Sequence, residues 1–129
     1  VNEWKNAGKL PRLKVFVDSP LASRVTVVFE NNPAAYDDDA KGLLKRGDDP
    51  FDFPGLHFVR DARESGNLTR EAKGSLIIAA SGMCQSGRIV GHLAAMLPRP
   101  ETQVVIVGYQ APGTIGDRLV RRGSEQEHR

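Results

Sequence analysis

The stretch SLIIAASGMCQSGRIVGHLAAML, Ser75 to Leu97, decides the fold. It opens with an apolar run, SLIIAA, that reads as a buried strand. It closes with a helix from about Ser86, whose inner face is Ile89, Val90, Leu93, Met96 and Leu97. Pro98 and Pro100 end that helix. Between strand and helix, SGMCQSGR sets Gly82, Gly87, Ser81, Ser86 and Arg88 close together.

The same grammar of strand, turn and helix recurs on either side. LKVFV, Leu13 to Val17, is a buried strand that runs into DSP, where Ser19 caps a helix and Pro20 takes its first position. Leu21, Val25, Val28 and Phe29 then share one helical face, so the β-branched run VTVV is read as helix. Asn32-Pro33 repeats the cap-and-proline signal for a second helix, with Tyr36, Ala40, Leu43 and Leu44 as its apolar stripe and Gly47 as its end. Turn residues at Asp48 to Gly55 lead into a short strand, Leu56 to Val59, and Asp61 to Gly74 read as a charged surface helix and loop. QVVIV, Gln103 to Val107, is a further strong strand, followed by GYQAPGT and a last helix through Ile115, Leu119 and Val120. VNEWKNAGKLP reads as the last turns of a helix closing on Gly8. Strands alternating with helices imply an α/β fold: a three-layer, mostly parallel sheet with helices on both faces, of Rossmann or flavodoxin-like form.

The 129 residues suit one domain over 1–123 with a polar tail or linker at 124–129. Lys and Arg number 18 against 16 Asp and Glu, so charge alone does not announce a nucleic-acid binder, and anion binding must be local. The single cysteine, Cys84, has no internal disulfide partner, and no apolar run approaches the roughly 20 residues of a membrane helix. The expectation is a cytoplasmic protein without a membrane partner. His57, His92 and His128 are scattered and form no metal set with Cys84, and His92 reads as a solvated residue four positions from Arg88. Asp37, Asp38 and Asp39 stand in the first turns of a helix, where its dipole favours them, and are assigned no chemistry. No catalytic arrangement of Ser, His and Asp stands out.

VFVDSP, IIAASGMCQSGR and VIVGYQAPGT each carry a strand through small residues into a helix start, and in a parallel sheet such loops converge on one edge. Helix N-termini there offer N–H groups to phosphate or carboxylate. Gly82, Gly87, Gly113 and Gly116 let backbone approach, Ser19, Ser81, Ser86 and Thr114 offer hydroxyls, and Arg24, Arg88, Arg118, Arg121 and Arg122 supply nearby charge. Tight turns also need glycine and caps for geometry alone. No GxxxxGK[ST] and no GxGxxG after a first strand is present.

At VFVDSPLA, DDPFDFPGLHFVR, IIAASGMCQSGRIVGHLAAMLP and VVIVGYQAPGTIGDRL the chain resembles the β-CASP domain of metallo-β-lactamase-fold RNA-processing nucleases, bacterial type, over Gly8 to Gly123. That resemblance implies a specificity domain that caps a two-zinc active site and forms one wall of an RNA cleft. The zinc ligands would belong to the metallo-β-lactamase domain of the same parent chain, and none is expected here. It implies that the DSP turn, with Asp18, the SGM loop, with Met83, and the GT loop face the cleft. The RNA-binding set is then Asp18, Ser19, Arg24, Ser81, Gly82, Met83, Ser86, Gly87, Arg88, Gly113 and Thr114. The expected partner is single-stranded RNA. Gly91-His92 departs from the two histidines that bacterial relatives often carry. Two rival readings stand beside this one: a phosphate or mononucleotide-binding domain of flavodoxin-like form, and a protein interaction module or homodimer using the surface around Trp4.

Overall fold

The computed structural model describes residues 2–11, 13–49 and 51–127. By contacts the chain divides into two compact units, Val1–Asp61 with Ala72–Ile78 and Ala62–Glu71 with Ala79–Arg129.

In the first unit, α1 (Asn2–Asn6) precedes β1 (Lys14–Asp18), whose β-branched and aromatic residues suit a pleated, half-buried surface. β1 pairs in parallel with β2 (Leu56–Phe58) in the register Val15 to Leu56, Phe16 to His57 and Val17 to Phe58. β3 (Ser75–Ala79) completes a three-stranded parallel sheet in the order β2-β1-β3. Alternation along the strands separates two faces. Phe16 stacks on His57 with ring centroids 5.3 Å apart, while Val15, Val17, Leu56 and Phe58 line a cavity of about 330 Å³ with Leu43 and Phe51.

α2 (Pro20–Glu30) forms as its cap chemistry dictates, with Pro20 at its start and Ser19 Oγ accepting from Ala22 N at 3.2 Å. The β-branched run is helical, yet no residue of α2 is buried: Leu21 is 67% exposed and Val28 61%. Periodicity fixes which residues share a face and does not supply the surface that covers it. Phe29 alone of that stripe enters a ring cluster, with centroids 6.3 Å from Tyr36 and 5.9 Å from Phe51. α3 (Asp38–Lys45) begins later than expected. Asn32-Pro33 opens only a short 3₁₀ turn, Pro33–Ala35, and Asn32 Nδ2 donates backwards to Val28 O at 2.8 Å. Asp37 is the true cap, accepting from Ala40 N at 2.8 Å, which leaves Asp38 and Asp39 in the first turn.

The second unit contains α4 (Ala62–Glu71), α5 (Arg88–Met96) and α6 (Ile115–Glu127). α4 and α5 pack together, burying Ser65 and Leu68 of one and His92 and Leu93 of the other. His92 is therefore an interior residue and not a solvated one. The buried face of α5 is turned toward it, and Val90 and Leu97, expected inside, are exposed. Gln103 to Val107, expected as a strand, forms none: the segment has no ladder partner among the described residues, and Val105 and Val107 are 73% and 95% exposed. An apolar run becomes a strand only where a neighbour completes its hydrogen bonds. α6 continues through Glu127, so the tail expected from Ser124 is helical that far; His128 lies outside the described residues. Among the described residues no helix is long and apolar enough to cross a membrane.

Candidate functional site

Two loops of the second unit carry most of the residues singled out in the sequence, and hydrogen bonds join them. The first leaves β3 through a cis peptide at Ala80-Ser81 and turns tightly, with Cys84 N donating to Ser81 O at 3.0 Å and Ser81 N to Ser86 O at 3.1 Å. Gly87 caps α5 at φ +75°, and a Cβ there would lie 2.6 Å from Ala80 O. Only glycine fits, so this residue is accounted for by geometry. Ala80 O accepts from Ile89 N at 3.2 Å, which closes the loop onto the start of α5.

The second loop runs through Gly108 to Thr114. Thr114 caps α6, its hydroxyl donating to Ala111 O at 2.7 Å and accepting from Asp117 N at 3.1 Å. Three bonds then tie the loops together. Gly116 N donates to Met83 O at 3.2 Å, Ile115 N to Gln85 Oε1 at 3.2 Å, and Gln110 Nε2 to Gly82 O at 3.0 Å. Gln110 Nε2 also lies within hydrogen-bonding distance of Gly108 O and Tyr109 O, and its amide occupies the space that a side chain at position 116 would need. Gln85 and Gln110 were not singled out from sequence; a glutamine beside a glycine-rich turn carries no spacing signal.

These contacts change the chemistry expected of the α6 N-terminus. Arg118 N donates to Thr114 O at 3.2 Å and Gly113 N to Asp117 Oδ2 at 2.9 Å. With Ile115, Gly116 and Asp117 also satisfied, the N–H groups of the first turn and that of Gly113 are spent on the protein. Asp117 stands where an external anion would sit. Its carboxyl is held below the ordinary carboxylate value by the Gly113 N–H and then by Arg121, whose Nε lies 2.9 Å from Oδ1.

The side chains of these loops differ in exposure. Ser86 and Gly82 are exposed, Met83 is 37% exposed, and Ser81 and Arg88 are half-buried. Among the described residues neither the Ser81 nor the Ser86 hydroxyl has a protein partner. Every cationic side chain of the second unit is an arginine, the residue whose planar fork suits phosphate oxygens. Cys84 within the loop is buried, and burial pushes its thiol up, which disfavours the reactive thiolate. Asp18, Ser19 and Arg24 belong to the first unit: Asp18 is fully buried at the end of β1, Ser19 is the α2 cap, and Arg24 is exposed with Nε donating to Pro20 O at 3.2 Å. Among the described residues no three His, Cys, Asp or Glu side chains are grouped to hold a metal ion.

Comparison with known proteins agrees with the architecture. The family model for the Beta-Casp domain matches residues 2–119. The chain is 32% identical over 119 residues to Ribonuclease TTHA0252 of Thermus thermophilus, covering 92% of this chain and 28% of that protein. It is 24% identical over 121 residues to Transcription termination factor FttA of Cenarchaeum symbiosum, covering 93% and 19%. To the RNase J-like protein of Methanocaldococcus jannaschii it is 26% identical over 125 residues, covering 97% and 28%. The chain thus spans less than a third of the length of these curated relatives. With a parallel α/β sheet and a family match across nearly all its residues, the chain belongs to the Beta-Casp domain family.

Proposed function

We propose that this chain is the RNA-gripping domain of a zinc-dependent ribonuclease of the metallo-β-lactamase fold. It holds single-stranded RNA by its backbone and caps an active site built by a catalytic domain outside these residues. The observation that carries the reading is the joined loop pair, a braced frame on which, among the described residues, the Ser81 and Ser86 hydroxyls have no protein partner. Hydroxyl and guanidinium donors on phosphate oxygens fix a strand's position without reading its bases. The names of the relatives, two of them ribonucleases and one a transcription termination factor, support an RNA substrate.

The described residues do not fit a zinc site, since no three His, Cys, Asp or Glu side chains among them are grouped to hold a metal ion. This chain's part is to bind and orient.

The test is fluorescence anisotropy with labelled oligouridylates of increasing length. Affinity should rise with length, and Arg88→Glu should lower it about tenfold. Uridine monophosphate binding as tightly as the longer strands would instead support the mononucleotide reading. Binding unchanged by Arg88→Glu removes Arg88 from the site.

A further inference from the structure

The three arginines of α6 are not equivalent. Arg121 is committed, its Nε 2.9 Å from Asp117 Oδ1. Arg118 is exposed, with a long contact from Nη2 to Gly113 O at 3.4 Å that leans its guanidinium over the loop before α6, and its charge also acts on Asp117. Arg122 is exposed one turn further on. Residues four apart share a helix edge, separated by about 6 Å along the axis. The backbone donors at this end of α6 are already spent, so an anion gains nothing from the helix terminus and must be met by side chains.

We infer that Arg118 and Arg122 form a phosphate track along α6 that continues the path of an RNA strand from the Ser81–Arg88 loop. The ligand class is the sugar-phosphate backbone of single-stranded RNA, and the inference rests on the RNA reading above. Two guanidiniums at this spacing can each meet a phosphate of an extended strand in the bidentate manner that arginine favours. Asp117, next to Arg118, is engaged by Gly113 N and by Arg121, which offsets part of its charge at the head of the track.

The test measures oligouridylate affinity against salt for the wild-type chain, for Arg118→Gln with Arg122→Gln, and for a charge-matched control, Lys41→Gln with Lys45→Gln, on α3. Circular dichroism checks that each is folded. The α6 pair should lower affinity about tenfold and reduce the slope of log affinity against log salt by about 1.4, from ~0.7 per phosphate contact on a single strand. The control should keep the wild-type slope. Wild-type binding with an unchanged slope in the α6 pair overturns the track and leaves the RNA reading intact. Equal losses in both pairs reduce the effect to net charge and also overturn the track. No saturable binding by the wild type overturns both.

Discussion

The backbone N–H of Gly116 donates to the carbonyl of Met83 at 3.2 Å, so the first turn of α6 is closed by the loop that leaves β3. The two loops are thereby one object, and Gln110 is its clasp. Replacing Gln110 with Ala should cost about 1–2 kcal/mol, the worth of one or two hydrogen bonds and a carbonyl left poorly satisfied. Gly116→Ala should do the same by a different route, because its methyl would displace the Gln110 amide. The double variant should therefore cost little more than Gly116→Ala alone in urea denaturation. Strictly additive losses would mean that the two residues act independently.

Gly87 and Gly82 sit five residues apart in one loop and are glycine for different reasons. Gly87→Ala should destabilise by at least ~2 kcal/mol, since it combines a left-handed backbone with a close approach to Ala80 O. Gly82 has open space around it, and Gly82→Ala should shift stability by under ~0.5 kcal/mol. If Gly82→Ala nevertheless weakens RNA binding, the loss reports on contact with ligand. Equal destabilisation by the two would contradict the geometry.

Asp117 gives the fold a pH signature. Its carboxyl is lowered in the folded state, so the stability it contributes is full above the ordinary carboxylate range. That contribution is lost as the pH falls through the depressed folded value. Asp117→Asn should be less stable than wild type at neutral pH, and the gap should close in acid. A gap that stays constant into strong acid would show that the charge contributes nothing.

Burial and a raised thiol value make Cys84 slow to react. A neutral disulfide reagent should modify it in the folded chain far more slowly than in denaturant. Rapid labelling at neutral pH without unfolding would place the thiol at the surface.

Much of this was legible in sequence where local chemistry decides the outcome. Ser19-Pro20 specifies the start of α2 against the β-branched run behind it, and Gly87 marks the turn into α5. What depends on a distant partner was not legible. Among the described residues, Gln103 to Val107 has the composition of a strand and no ladder, and α2 has an amphipathic stripe with no buried residue. Asn32 was expected to cap the second helix, but Asp37 does so because its carboxylate meets Ala40 N while Asn32 bonds back into α2. At the site, the sequence pointed to glycines and hydroxyls. The glutamines that join the loops and the internal use of the α6 donors appear only in three dimensions.

The most direct measurement is a nuclear magnetic resonance titration of the isotope-labelled chain with an oligouridylate, following backbone amides and arginine side chains. The account predicts shifts concentrated at Ser81 to Arg88 and at the Arg118 and Arg122 guanidiniums, with Arg121 little changed. Shifts centred on α3, or an unperturbed Ser81 to Arg88 loop at saturation, would contradict it.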